Sequence, residues 1–152
     1  MSPDETSPDD TSPAAATEPG CLFCRIVAGE IGSRQVYADD RAVAFLDVSP
    51  WQRGHTLVVP RRHVPDLVTG DPALPEIAPA VDTVARLLVD RLGAQGINVL
   101  SSSGAVAGQE VFHLHVHLVP RYADAPGLAA LFGRAGSTAK ELDAVLAQVT
   151  GS

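Results

Sequence analysis

Three histidines occupy alternate positions in this 152-residue chain, within His113-Leu114-His115-Val116-His117. The segment continues into Leu118 and Val119, so imidazoles alternate with branched apolar side chains. A period of two predicts a buried β-strand over Val111–Val119, in which successive side chains point to opposite faces. All three imidazoles would then share one face, and their burial is costly unless a polar group binds there.

Two kinds of chemistry fit three imidazoles on one face of a strand. Imidazoles at alternate positions can converge on a metal ion such as zinc. Alternatively, they can contact phosphate oxygens while one ring attacks phosphorus as a nucleophile. The histidine pattern by itself leaves both possibilities open.

A second group of residue types with metal chemistry is Cys21-Leu22-Phe23-Cys24. The two-residue spacing lets two thiolates bind one ion. A redox pair or two small buried side chains are the alternatives. Two cysteines do not form the disulfide framework that is typical of a small secreted protein.

The elements that must position these residues are five strands and two helices. Strands are predicted over Gln35–Tyr37, Ala42–Asp47, Thr56–Val59, Ile97–Leu100 and Val111–Val119, after an opening segment Cys21–Val27. An amphipathic helix is predicted over Glu76–Leu92 with Gly93 as its C-terminal cap. A second helix is predicted over Thr138–Val149, because Thr138 and Glu141 have capping-box spacing. This order of elements predicts an α+β fold with a mainly antiparallel sheet.

Residues 1–20 differ in composition from the rest of the chain. They hold five acidic residues, four prolines and no lysine or arginine, which predicts a disordered acidic tail before one domain over residues 21–152. The whole chain has a net charge of −7, and the tail contributes −5 of it, so the domain has a net charge of −2. A near-neutral domain argues against general binding to nucleic acid or to a membrane surface. The chain shows no apolar span and no signal-peptide pattern, so we expect a cytoplasmic protein.

Several separated motifs occur together in this sequence. Pro120 and Arg121 complete the pattern His-x-His-x-His-x-x-Pro-Arg, which resembles the signature of the histidine-triad (HIT) superfamily of nucleotide hydrolases and transferases. Further similar segments are Cys21-x-x-Cys24, Phe45-Leu46-Asp47, Gly54–His63 and Ala107-Gly108-Gln109. The resemblance runs from about Cys21 to Tyr122 and points to the Hint-like bacterial branch.

The resemblance implies a HIT-like fold, with a five-stranded sheet and one long helix, and a homodimer whose sheets join. It also implies an enzyme that cleaves purine nucleoside 5′-phosphoramidates or related nucleotide conjugates and releases a nucleoside monophosphate. His115 would be the nucleophile that forms a nucleotidyl-histidine intermediate. His117, His55 and Gln109 would contact the phosphate oxygens.

The resemblance further implies a nucleotide-binding role for six residues. Asp47 would hold the ribose hydroxyls, and Phe23, Val48 and Leu57 would surround the base. Ser102 and Gly108 would lie near the phosphate. A structural zinc ion would be bound by Cys21, Cys24, His63 and His113, and no catalytic metal would be required.

The chain departs from the family pattern at three places. Ser102 stands where many relatives have asparagine, and Glu110 follows Gln109 where serine or threonine is common. A carboxylate at position 110 would repel phosphate or, if protonated, donate a proton to a departing amine, so we expect it to alter the leaving-group preference. The only tryptophan is Trp51, so the downstream tryptophan segment of the family is missing.

Three other functions are compatible with these motifs. The same nucleophile would serve a dinucleoside polyphosphate hydrolase or phosphorylase. A non-catalytic nucleotide-binding module would keep the pocket without turnover, and a metalloenzyme would hold zinc in the triad. The fold does not separate these functions.

Overall fold

The computed structural model of the protein describes residues 17–124, 127–128 and 137–151. The helices are α1 (Leu22–Val27), α2 (Leu74–Leu92) and α3 (Ala139–Thr150), with a short 3₁₀ turn at Ala105–Ala107. The strands are β1 (Gln35–Ala38), β2 (Ala42–Leu46), β3 (Thr56–Pro60), β4 (Gly96–Leu100) and β5 (Val116–Arg121). The predicted acidic tail lies outside the described residues except for residues 17–20.

The five strands form one sheet in the order β1-β2-β3-β5-β4, and each neighbouring pair is antiparallel. Helix α2 covers one face of this sheet with four buried side chains, Ile77, Ala80, Val84 and Leu88. Full burial of an isoleucine, valine or leucine side chain contributes roughly 1.5–3 kcal/mol to the free energy of unfolding. The predicted α+β fold with an antiparallel sheet is confirmed.

Helix α2 begins at Leu74, two residues before the predicted start, because Pro75 suits the first turn of a helix. It ends where predicted, since Gly93 adopts the left-handed conformation with φ of 69°. The capping box of Thr138 and Glu141 also forms at the start of α3. None of the described helices is long and apolar enough to cross a membrane.

The fifth strand differs from the prediction. It spans Val116–Arg121 instead of Val111–Val119, so His113 and His115 precede the strand and Pro120 lies within it. The preceding residues form other bonds: the Leu114 N–H donates to the Val64 carbonyl at 2.6 Å, outside the sheet. Ladder bonding therefore starts only at Val116, which pairs with Val58 of β3.

The predicted alternation of faces nevertheless holds across this irregular segment. Leu114, Val116 and Leu118 belong to the apolar cluster beneath α2. The three imidazoles lie on the other side, where Phe23 contacts the rings of His113 and His115 edge to face. The second apolar cluster, which includes Phe23, Phe45 and Leu57, supports this face of the sheet.

Candidate active site

His115 is held by its own backbone neighbourhood. Its Nδ1 lies 2.7 Å from the backbone carbonyl oxygen of His113. A carbonyl oxygen only accepts, so Nδ1 carries the proton and Nε2 keeps its lone pair. The Ser101 hydroxyl donates to the His115 carbonyl at 2.8 Å, and the Phe23 ring meets the imidazole edge to face at 5.2 Å. The buried ring is therefore fixed with one nucleophilic nitrogen.

His55 and His117 form a directed chain of hydrogen bonds. The backbone N–H of Trp51 donates to His55 Nδ1 at 3.1 Å, so that nitrogen must be the acceptor. The proton of the neutral ring is then on His55 Nε2, which lies 2.9 Å from His117 Nδ1 and donates to it. His117 consequently carries its own proton on Nε2. Among the described residues nothing accepts from this N–H, and the His117 and His115 ring centroids are 4.9 Å apart.

The electrostatic environment keeps these two rings neutral. Burial lowers the pKa of His117 to about 4, with further lowering by His115 and His55 and an opposing effect of Asp47. Burial also lowers the pKa of His55, again opposed by Asp47. Asp47 Oδ2 lies 3.7 Å from His55 Nδ1, which is too far for a hydrogen bond. Since His55 is neutral at pH 7, this contact is not an ion pair there.

The rings of His115 and His117 border a cavity of about 450 Å³. This volume lies within the range of small-molecule and cofactor sites. All six residues with a predicted nucleotide-binding role line it: Asp47, Phe23, Val48, Leu57, Ser102 and Gly108. The fold thus brings residues from five separate segments of the chain to one concave surface beside the two imidazoles.

The Gln109 side chain, expected to contact phosphate, is bonded to backbone groups. Its side-chain oxygen accepts the Gly104 N–H at 2.7 Å, and its Nε2 donates to the Pro65 and Val111 carbonyls at 2.7 and 3.0 Å. These bonds use both N–H groups and one oxygen lone pair, and the side chain is buried. Gln109 is not among the described residues that line the cavity. In this arrangement it holds the loop around Gly104 and Gly108 in place.

The four predicted metal ligands also meet. Cys21 Sγ lies 3.4 Å from His113 Nδ1, and Cys24 Sγ lies 3.5 Å from the same atom and 3.4 Å from His63 Nδ1. Cys21 caps α1, and its Sγ accepts the Cys24 N–H, which turns both sulfurs to the same side. This cluster can hold a metal ion.

His113 has the properties of a buried metal ligand. Its Nε2–H donates to the Pro60 carbonyl at 2.9 Å, so Nδ1 faces the sulfurs with a lone pair. Burial lowers the pKa of its ring to about 4 and keeps it neutral. Because its carbonyl also accepts from His115, this residue connects the cluster to the proposed nucleophile.

Sequence reasoning missed two contributors to this site. Trp51 lies over the rings of both His55 and His117, and Ser101 binds the His115 carbonyl. A tryptophan four residues before His55, between two of the family motifs, was the available signal for the first. The contact of Ser101 spans 14 residues, and no local pattern indicates it.

Comparison with known proteins agrees with the fold. The HIT domain family matches residues 28–124, which is most of the chain. The protein called hit of Bacillus subtilis is 41% identical over 113 residues, covering 74% of this chain and 78% of that protein. The chain therefore belongs to the HIT family.

One further relative and two solved structures extend the comparison. Adenylylsulfatase HINT3 of Arabidopsis thaliana is 32% identical over 117 residues, covering 76% of this chain and 59% of that protein. The structure of SMU.412c from Streptococcus mutans has a TM-score of 0.78 and 32% identity, covering 99% of this chain and 98% of that chain. A HIT family hydrolase from Clostridium thermocellum has a TM-score of 0.64 and 30% identity, covering 74% and 99% respectively.

Proposed function

We propose that the protein is a nucleotide hydrolase that cleaves purine nucleoside 5′-phosphoramidates or related nucleotide conjugates. The observation that carries this proposal is the hydrogen bond of 2.7 Å between His115 Nδ1 and the His113 carbonyl. It leaves Nε2 of His115 as a nucleophile at the wall of a cavity of nucleotide size. A relative named as an adenylylsulfatase and a neighbour named as a HIT family hydrolase support hydrolysis of an adenylyl conjugate.

In the first step, the lone pair of His115 Nε2 attacks the α-phosphorus of the conjugate. A nitrogen–phosphorus bond forms as the bond from phosphorus to the leaving group breaks, and the leaving group departs with that electron pair and takes up a proton from solvent. The Nε2–H of His117 donates to a non-bridging oxygen and stabilises the charge that develops there, an effect of about 3–4 kcal/mol for one well-placed donor.

In the second step, water attacks the phosphorus of the nucleotidyl-histidine. An oxygen–phosphorus bond forms, the nitrogen–phosphorus bond breaks, and its electron pair returns to His115 Nε2. The proton lost by water leaves to solvent, and the product is a nucleoside monophosphate. Division of one displacement into two is the advantage of covalent catalysis.

The remaining cavity residues orient the nucleoside. The Asp47 carboxylate can accept bonds from two vicinal ribose hydroxyls through Oδ2, since its Oδ1 already accepts the Ser49 N–H at 2.8 Å. The base fits against the apolar side chains of Phe23, Val48 and Leu57 at the same cavity. Glu110 also lines the cavity, where its carboxylate would select among leaving groups.

The metal cluster fits a structural zinc ion. Zinc at tetrahedral geometry, about 2.3 Å from sulfur and about 2.05 Å from nitrogen, requires a sulfur–nitrogen separation of about 3.5 Å. Three sulfur–nitrogen separations in the cluster are 3.4 Å for Cys21–His113, 3.4 Å for Cys24–His63 and 3.5 Å for Cys24–His113. With four protein ligands the ion would be closed to substrate, and its contribution is to tie α1 to the segment before β5.

A homodimer and a cytoplasmic location complete the proposal. Within the described residues strand β4 is an edge of the sheet, where a strand of a second copy could pair with its outer backbone groups, and the Val99 side chain on this strand is exposed. Light scattering coupled to gel filtration tests this, since a mass of about one chain would contradict the dimer. Fractionation of cells tests the location.

The function is tested by incubation with adenosine 5′-phosphoramidate, followed by mass spectrometry after a rapid quench at neutral pH. We expect an adenylyl adduct on His115 in the wild type, release of AMP, and neither in His115→Ala. Diadenosine polyphosphates in the same assay decide whether the alternative hydrolase activity is present. Tight AMP binding without any adduct or turnover would favour a non-catalytic binding module and contradict the proposal.

A further inference from the structure

Trp51 is the only tryptophan of the protein. It contacts both rings of the hydrogen-bonded His55–His117 pair. Its ring lies 4.7 Å from the His55 ring, with planes 28° apart, and 4.7 Å from the His117 ring, with planes 15° apart. The His55 and His117 rings are 5.1 Å apart and tilted by 34°. One indole face therefore covers a pair of neighbouring imidazoles.

The loop that presents Trp51 is closed by backbone bonds. The Asp47 N–H donates to the His55 carbonyl at 3.0 Å, and the His55 N–H donates to the Gln52 carbonyl at 3.0 Å. Gly54 adopts φ of +84°, a conformation that other residues avoid. These contacts hold the residue 51 N–H against His55 Nδ1 and its indole above both rings.

Both imidazoles are almost inaccessible to solvent, whereas Trp51 is 57% exposed at the cavity. This distribution is expected if the indole is the layer between the imidazoles and water. Its aromatic face is also suited to this position, because it attracts the positive charge that an imidazole acquires as it donates to a phosphate oxygen. An aliphatic side chain would exclude water equally well but would lack this attraction.

We propose that Trp51 is a positioning residue that orients the His55–His117 pair, so that the His117 Nε2–H points to the phosphate oxygen in the transition state. The effect of Trp51 on the reaction rate rests on the proposed function. Its effect on the imidazole NMR signals depends only on the geometry of the three rings. The indole acts through the imidazoles and is not itself the group that donates to substrate.

The spectroscopic test uses nitrogen-15 NMR of the imidazoles and needs no turnover. In the wild type we expect His55 and His117 each to be one tautomer with the proton on Nε2, and their ring protons to be shifted upfield by the indole. Trp51→Phe should keep one orientation for each ring, whereas Trp51→Leu and Trp51→Ala should broaden or split the His55 and His117 ring resonances as the rings sample several orientations. The tautomers should be kept in all variants, because the residue 51 backbone N–H still donates to His55 Nδ1. His63 and His113 serve as internal controls, since among the described residues their rings contact each other and not Trp51.

The kinetic test measures single-turnover adenylylation of His115 from a nucleoside phosphoramidate. Trp51→Leu and Trp51→Ala should lower the maximal rate about 10- to 100-fold, as expected for a misplaced catalytic group, with little change in the half-saturating concentration. Trp51→Phe should recover most of the rate. Val68→Ala, which shortens another exposed apolar side chain, is the control that should leave the rate unchanged.

The outcomes separate the two proposals. A higher half-saturating concentration with an unchanged maximal rate would make Trp51 a simple wall of the cavity and would overturn its positioning role. Sharp, unsplit His55 and His117 ring resonances in all variants would overturn it as well. If the wild type turns over no nucleotide conjugate but the ring resonances respond as expected, the proposed function fails while the orientation of the imidazoles by Trp51 stands.

Discussion

The backbone carbonyl of His113 accepts the Nδ1–H of His115 at 2.7 Å, while the His113 ring contributes Nδ1 to the cysteine–histidine cluster. His113 thus belongs to the cysteine–histidine cluster through its side chain and orients the His115 imidazole through its main chain. The cluster and the proposed nucleophile are therefore connected through one residue. Several measurable consequences depend on the arrangement.

Loss of a cluster ligand should remove the metal and destabilise the fold. We expect one zinc ion per wild-type chain and none in Cys24→Ala, measured by atomic emission after dialysis. At a free zinc concentration of about a thousand times Kd, the bound ion stabilises the folded wild type by about 4 kcal/mol, so zinc should raise the Tm of the wild type and not of the variant. His55→Ala, which alters the imidazole pair outside the cluster, should keep its zinc; equal loss in both variants would contradict the assignment.

Ser101 should matter through the main chain of His115. Its hydroxyl donates to the His115 carbonyl at 2.8 Å, and Ser101→Ala leaves that acceptor without this donor. We expect a loss of about 1 kcal/mol in the free energy of unfolding and a slower adenylylation of His115. Ser103→Ala is the matched control, since the Ser103 hydroxyl accepts the Leu67 N–H instead. The same rate in both variants would contradict a role of Ser101 in orienting His115.

Stability should fall in mild acid because His117 is held neutral. Its pKa is about 4 in the folded protein against about 6.5 in an unfolded chain. Between pH 4 and pH 6.5 the unfolded chain binds more protons than the folded protein. The free energy of unfolding therefore has its full value above pH 6.5 and decreases as the pH falls toward 4. The loss attributable to His117 between pH 7 and pH 5 is on the order of 2 kcal/mol.

Urea denaturation of the wild type and of His117→Asn at both pH values measures this contribution by difference. Asparagine can still accept the His55 N–H through its amide oxygen but does not titrate. The variant should therefore lose less stability than the wild type on acidification. Identical losses would show that the His117 pKa is not depressed by burial as stated.

Gly54 should be more sensitive to substitution than another glycine with the same backbone conformation. At Gly54, with φ of +84°, an added Cβ would overlap Leu92 Cδ1 and lie 3.2 Å from Pro120 Cγ. At Gly93, with φ of +69°, an added Cβ would meet no atom of the described residues within 4 Å. Gly93→Ala should cost about 1 kcal/mol from backbone strain, and Gly54→Ala should cost about 2–4 kcal/mol because overlap adds to it.

Thermal denaturation of the two glycine variants gives this comparison directly. Gly54→Ala should also slow adenylylation, because the residue precedes His55 and shapes the loop that presents Trp51. Equal Tm values for the two variants would show that the loop at Gly54 moves to accommodate the methyl group.

The sequence by itself determined which side chains share a face of the sheet and the order of the helices and strands. Alternation of His113, His115 and His117 with leucine and valine separates the polar from the apolar face, because a period of two holds wherever the chain is extended. Capping chemistry defined the start of α3 at Thr138, and the left-handed preference of Gly93 defined the end of α2. The resemblance to the HIT family was what placed Cys21, Cys24, His63 and His113 in one ligand set, and the fold brings these four residues together.

Only the tertiary structure decided which nitrogen of each imidazole is protonated and what Gln109 does. The tautomers depend on the Trp51 N–H and the His113 carbonyl, whose positions relative to the rings follow from the folding of a loop. The Gln109 amide donates to the carbonyl of Pro65, 44 residues away in sequence. The motif gives no sign that the folded backbone binds this amide. The strand boundary shifted to Val116 for the same reason, since long-range backbone bonds such as that from Leu114 to Val64 replace the ladder. Hydrogen-bond partners distant in sequence leave no periodic signal, and they set the chemistry of this site.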